Sequence, residues 1–395
     1  MELSNRITSI NAGGSDGWGL FYRARQMAAA GEQVTELTIG EHDVGTDPRI
    51  LAAMDASARG GHTGYAMVPG VDALRDAVAA RVTARTGVPT TRDNVLITPG
   101  GQAGLSAAHT AVCNRLDRAL FIDPYYATYP GTIRAVGAEP VAVVARSEDG
   151  FQPRAADIAE HASGARSLLI NTPNNPTGGV YTEDTMTGIA RVCRDHNLWL
   201  ISDEVYDTQV WHGQHISPRA LPGMADRTLV IGSMSKSHAM TGSRIGWIVG
   251  PEPAISALID LAVTTTYGVP GYIQDAALFA LDAGPELEAE VAAPFQRRRA
   301  LALDILAGQN VVRYVPPEGA MYLMLDIRAT GLSGEAFADR LLTETGIAVM
   351  PGESFGRAAA GHLRVAMTVD DAAFAGALTR LVAFAAALAP VSESA

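Results

Sequence analysis

Seven short apolar runs set the tightest limit on what this chain can fold into. They are Val95–Thr98, Ala119–Ile122, Val141–Val144, Ser167–Ile170, Leu198–Ile201, Thr228–Ile231 and Trp247–Val249. Each is continuous rather than alternating in character, the pattern of a strand buried on both faces of a largely parallel sheet. Amphipathic stretches separate them and supply the covering helices. Most runs end in turn formers or polar residues: Pro99-Gly100-Gly101, Asp123-Pro124, Asn171-Thr172-Pro173, Ser202-Asp203-Glu204 and Gly232-Ser233. Ligands of open α/β sheets sit outside the carboxyl ends of the strands, so the chain gathers its polar chemistry at one rim.

The texture changes after about residue 280. A charged helical segment, Glu286 to Arg299, leads into an α+β pattern with strands near Met321–Leu325 and Leu363–Ala366. The expected fold is α/β. A large domain over residues 46–285 carries a mostly parallel seven-stranded sheet sandwiched by helices. Residues 1–45 and 286–395 form a smaller α+β domain, which leaves an inter-domain cleft for a substrate.

With 395 residues, 47% apolar and 18% charged, the composition is that of a globular enzyme. A formal charge of −12 argues against nucleic acid as a general partner, whereas a small anionic cofactor needs only a local positive pocket. Cys113 and Cys193 are the only cysteines; each is expected in a helix as a buried free thiol, a reduced pattern. The start, Met1-Glu2-Leu3-Ser4-Asn5, lacks the apolar core of a signal peptide, and no run approaches 18 apolar residues. A cytoplasmic protein without membrane contact is expected.

The segment Ser233 to Trp247 places Lys236 between hydroxyls, with Thr241-Gly242 at the fifth and sixth positions after it and Arg244 at the eighth. Ser233, Ser235 and Arg244 suit a phosphate monoester, which arginine binds through its planar fork. The segment resembles the cofactor-lysine segment of class I and II aminotransferases, the fold type I enzymes that use pyridoxal 5′-phosphate (PLP). The resemblance extends from Leu37-Thr38-Ile39-Gly40-Glu41 to Leu363-Arg364.

On that resemblance Lys236 forms a Schiff base with PLP, takes the substrate Cα proton and returns it to the cofactor. Asn175, in Asn175-Pro176-Thr177-Gly178, bonds the phenolic oxygen and contacts the substrate, and Asn174 does not. Asp203 keeps the ring nitrogen protonated, and Tyr206 approaches the ring oxygen. Glu204 is structural; the alternative, a metal ligand, finds no companion cluster, so no metal is expected. The Pro99–Ala103 turn supplies Gly101, Gln102 and Ala103 to the phosphate. Tyr126 stacks on the ring, with Tyr125 as its rival. Tyr65 reaches the partner's phosphate across a homodimer interface. Gly40 and Arg364 hold the substrate α-carboxylate. The implied reaction moves an amino group between an L-amino acid and a 2-oxo acid.

Departures from the family pattern are also present. His42 stands where proline is common and reads as a surface turn residue or a substrate contact. His238 and Ser243 replace a usual aromatic and a frequent tryptophan. No arginine stands in Thr264–Tyr272, where dicarboxylate-specific relatives keep one, which favours an apolar, aromatic or otherwise neutral donor. The alternatives are a PLP lyase, decarboxylase or oxidase, and, last, a non-catalytic PLP-binding regulator.

Overall fold

The computed structural model describes residues 1–11 and 18–389. Its strands are β1 (Thr35–Leu37), β2 (Val95–Thr98), β3 (Arg118–Asp123), β4 (Glu139–Val144), β5 (Ala165–Asn171), β6 (Trp199–Asp203), β7 (Thr228–Ser233), β8 (Gly246–Val249), β9 (Arg313–Tyr314), β10 (Tyr322–Asp326), β11 (Ile347–Pro351) and β12 (His362–Ala366). The seven expected runs coincide with β2 to β8. They build one sheet in the order β2-β8-β7-β6-β5-β3-β4.

From β7 to β4 the neighbouring pairs are parallel, while β8 runs antiparallel to both β7 and β2. An apolar run carries no record of its direction. The direction of β8 comes from its connection: Ser233 to Gly246 is spanned by one short helix, Met234–Ser237, and a turn at Thr241–Ser243. That link has no crossover helix to carry the chain back along the sheet, so it returns at the rim where β7 ends. Lys236 sits on this return.

A second sheet has the order β1-β11-β12-β10-β9. β1 pairs parallel to β11, so residues near the N-terminus share a sheet with the C-terminal third. Its core holds Phe295, Phe337, Phe374, Leu323, Leu341 and Leu363. The 18-residue helix Asp371–Leu388 is apolar enough by composition to span a membrane, with mean hydropathy 1.5. Here its Phe374, Ala377, Leu378, Leu381 and Ala385 are buried in this core.

Two polar ties fix the second sheet and its neighbours around the rim. The Arg298 side chain, only 4% exposed, donates to Asp43 at 3.0 and 2.6 Å, to Asp371 at 2.9 Å and to the Met367 carbonyl at 3.0 Å. It pins the segment that carries Gly40 to the helices Pro285–Ala307 and Asp371–Leu388. At the end of β3, the Asp123 carboxylate accepts from the N–H groups of Arg357 and Ala358 at 3.0 and 3.2 Å. Cys193 lies in the helix Glu183–Asp195 and Cys113 caps the helix Gly101–Val112; both are buried free thiols.

Candidate active site

One cavity of about 340 Å³ opens at the carboxyl rim, between the two sheets. Its anion-attracting end starts at the first turn of Gly101–Val112, where helix geometry leaves N–H groups without an intrahelical partner. The N-cap Gly100 has φ +81°, and a Cβ there would come within 2.4 Å of Arg244 Nη2. The backbone favours glycine, and a larger residue would also push the Arg244 guanidinium aside. Arg244, itself left-handed at φ +53°, donates through Nη1 to the Thr241 carbonyl at 2.8 Å. Ser233 caps the lysine helix: its Oγ accepts from Ser235 N–H at 3.1 Å and donates to the Ile245 carbonyl at 3.3 Å.

Lys236 points into the middle of the cavity, its Nζ donating to the Gly40 carbonyl. Burial pulls its pKa down from 10.5 to about 8, with Arg364 and Arg244 acting the same way and Glu41 opposing. Asp203, the last residue of β6, is 4% exposed and is lifted to about 6 by burial. The Tyr129 hydroxyl donates to its Oδ2 at 2.7 Å and Val205 N–H to its Oδ1 at 3.4 Å, both opposing the lift.

The far end is a buried polar knot. Arg364 donates through Nη1 to Asn175 Oδ1 at 2.9 Å and through Nη2 to the Thr38 carbonyl. Its guanidinium carbon lies 4.5 Å from the Tyr322 ring centroid and 4.4 Å from that of Phe355. The Tyr322 hydroxyl meets that of Tyr206 at 2.8 Å and accepts from Asn175 Nδ2 at 3.5 Å. Asn175 is held from behind, its N–H on Asn171 Oδ1 at 2.7 Å.

The cavity brings together Gly40, Gly101, Gln102, Tyr126, Asn175, Asp203, Tyr206, Ser233, Ser235, Lys236, Arg244 and Arg364. Of the tyrosine pair only Tyr126 lines it; Tyr125 packs edge-on against Phe121 at 4.9 Å. Asn174 is consumed within its own loop, its Oδ1 accepting from Thr177. Ala103 does not line the cavity. Gln102 does, but its side-chain amide is spent on Thr132 and Thr128 at 2.7 and 3.0 Å. Tyr65 lies on the surface of its own chain, 92% exposed, edge-to-face with Tyr267 at 5.2 Å.

His42 is not a surface turn residue: it is half-buried edge-on against Phe295 at 5.2 Å, and burial first among several effects lowers it to about 4. The Arg298–Asp43 pair next to it draws the turn inward. His238 is fully buried, bonded through Nδ1 to Ser237 Oγ at 2.8 Å, and lies off the cavity. Glu204 bonds His215 at 3.1 Å and Ser217 at 2.8 Å.

Sequence reasoning passed over Tyr129, Tyr322, Phe355, Thr38 and the mouth residues Trp18, Phe21 and Glu41. Tyr129 is the first residue of the helix Tyr129–Ala135, and its place just after Tyr125 and Tyr126 was the signal that could have found it. Tyr322 sits in an ordinary apolar strand and gives no signal of its own.

An anion cradle, a buried carboxylate, an aromatic wall and an amine around one cavity fit the phosphate, ring nitrogen, ring face and aldehyde of PLP. Together with the seven-stranded sheet they define a fold type I PLP-dependent enzyme. The family described as aminotransferase class I and II matches residues 32–381, and the chain belongs to it. It is 41% identical to the arginine–pyruvate transaminase AruH of Pseudomonas aeruginosa over 98% of this chain and 99% of that protein. A probable aspartate/prephenate aminotransferase of Thermus aquaticus is 32% identical over 96% and 98% of the two chains. The solved aspartate aminotransferase of Thermus thermophilus with maleate superposes with TM-score 0.90 at 30% identity, covering 96% of this chain and all of that one. The chain is thus an aminotransferase, and PLP is its cofactor.

Proposed function

We propose that this enzyme transfers the amino group of a basic L-amino acid to a small 2-oxo acid, with Lys236 as both attachment point and proton carrier. The observation that carries the reading is the single amine, Lys236 Nζ, standing in one cavity between the anion cradle and the Arg364 fork. PLP, when bound, supplies an aldehyde to capture the amine and a ring that draws electrons from Cα.

The arrangement of the cavity supports a role for each residue. Gly101, the Gln102 N–H, Ser233, Ser235 and Arg244 would hold the phosphate of bound PLP. Asp203, its charged form favoured by the Tyr129 hydroxyl, would keep the ring nitrogen protonated. Tyr206 and Asn175 would meet its phenolic oxygen, and Tyr126 would cover a ring face. Arg364 and Gly40 grip the substrate carboxylate, which turns the Cα–H bond toward Lys236. A lysine with pKa near 8 is partly neutral at ordinary pH, so its nitrogen could take the proton from the substrate Cα, hold it and give it back.

The donor and acceptor rest on the arginine–pyruvate relative and replace the neutral donor expected from the sequence. Tyr65, exposed beside Tyr267, suits a homodimer in which each chain completes its partner's phosphate site. The location we propose is the cytoplasm.

The test is a half-reaction of the holoenzyme with single amino acids and no oxo acid, followed by absorbance. Conversion to pyridoxamine 5′-phosphate by L-arginine, reversed by pyruvate, is expected. Release of ammonia or carbon dioxide with the cofactor regenerated would refute transamination, and response only to acidic donors would refute the basic donor. Sedimentation should show a dimer, and a monomer with full activity would end the shared-site reading.

A further inference from the structure

We infer that Asp123 is a positioning residue for donor binding: it grips the turn after β11 and so holds the Phe355 ring against the Arg364 guanidinium. The fork is thereby kept in the plane that meets the substrate carboxylate. This rests on the carboxylate role proposed above for Arg364 and applies to any amino donor. Two rings enclose that guanidinium, with centroids 4.5 Å (Tyr322) and 4.4 Å (Phe355) from its carbon. Tyr322 is fixed through its hydroxyl, which meets that of Tyr206 at 2.8 Å. Phe355 lines the cavity but has no polar tip, so its place is set by packing and by its own backbone.

That backbone is tied to the end of β3 at three points. The Tyr125 N–H donates to the Phe355 carbonyl at 2.9 Å. Asp123 then takes two N–H groups, that of Arg357 on Oδ2 at 3.0 Å and that of Ala358 on Oδ1 at 3.2 Å. Gly356, at φ +114°, permits the approach, because a Cβ there would run into Asp123 Oδ1.

The other side of the turn is held within the second sheet. There Glu353 Oε1 accepts from the N–H groups of Gly334 and Gly361 at 2.9 and 3.1 Å. The turn therefore has its own support, and Asp123 acts on where it sits against β3. Burial lifts Asp123 to about 6, opposed by the Ala358 and Arg357 N–H groups and the Arg357 charge, so above neutral pH both oxygens accept. Only Pro124 and Tyr125 separate Asp123 from Tyr126. One carboxylate thus joins the aromatic wall of the cavity to its carboxylate fork.

The test follows the half-reaction of the holoenzyme over a range of concentrations of the amino acid that converts it fastest. Asp123→Asn keeps the shape but presents one oxygen and one NH₂ to two N–H donors. Its half-saturating concentration should rise on the order of tenfold, with the limiting rate, the cofactor absorbance and the PLP affinity nearly unchanged. Phe355→Leu should raise it as well, and adding Asp123→Asn to Phe355→Leu should cost little more, because the first acts through the second. Wild-type half-saturation in Asp123→Asn, full additivity in the double variant, or a loss confined to the limiting rate or to PLP affinity overturns the inference. Wild-type half-saturation in Phe355→Leu overturns it even if Asp123→Asn fails to fold. Arg364→Lys tests the reading beneath, through the preference for the amino acid over its decarboxylated amine. If Arg364→Lys keeps that preference, the carboxylate role fails; if Arg364→Lys loses it while Asp123→Asn behaves as wild type, only this inference fails.

Discussion

Gly40→Ala tests how tightly the catalytic cleft is assembled. Gly40 has no left-handed backbone, so alanine can adopt its conformation; the obstacle is space. A Cβ built there lies 1.8 Å from the Tyr322 hydroxyl oxygen and 2.7 Å from its Cζ. Ordinary contact begins at 3.4 Å, so one group must retreat by about 1.6 Å. Tyr322 has nowhere to go: it is 2% exposed, bonded to Tyr206 and stacked against Arg364. The strain therefore falls on the Gly40 backbone, whose carbonyl holds Lys236, and on the Arg364 fork. Overpacking of this kind costs about 1–3 kcal/mol of stability. A displacement near 1 Å at reacting groups costs about 100-fold in rate. Thermal unfolding of the holoenzyme and kcat/KM for the best donor measure the two losses. In the double variant Gly40→Ala/Tyr322→Phe the closest clash is gone but Cζ remains, so stability should recover only in part and a cycle should show coupling. Wild-type kcat/KM in Gly40→Ala would refute the reasoning.

Lys236→Ala should fold and show no amino transfer; substantial turnover would remove Lys236 from its proposed role. In the cofactor-free protein, folded Lys236 releases its proton near pH 8 while the unfolded chain keeps it to 10.5. The unfolded state then binds more protons between those values, so stability relative to Lys236→Met should rise with pH across that window, and a flat difference would refute the shift. Tyr129→Phe removes an O–H donor to Asp203, so the Asp203 carboxyl should titrate above about 6 in cofactor-free protein by carbon NMR, with a loss of about 1.5–3 kcal/mol in urea unfolding. Arg298→Met strands Asp43 and Asp371; because both reach water, the expected loss is about 2 kcal/mol rather than the 3–5 of a fully buried pair, and the KM for the donor should rise as the Gly40 segment loosens.

The sequence by itself determined the strands of the larger sheet, because burial on both faces demands uninterrupted apolar runs and leaves the turns polar. Its resemblance to the family also named a lysine among hydroxyls, a carboxylate at a strand end and an arginine in β12, and the fold gathers all three around one cavity.

The reversal of β8 was not legible, because strand direction depends on the path of a connection and not on the composition of the run. Nor was the partnership of Tyr129 with Asp203, 74 positions apart, or the packing of Tyr322 over Gly40. Tyrosines in apolar segments look alike until the fold decides which hydroxyl finds a partner. His42, standing where the family has proline, read as a surface turn residue or a substrate contact, yet the Arg298–Asp43 pair, joining positions 255 apart, folds it inward. Glu41 is the same case in reverse: an ordinary acid in sequence, it reaches the cavity and the Thr241 hydroxyl, 200 positions away, only through the fold.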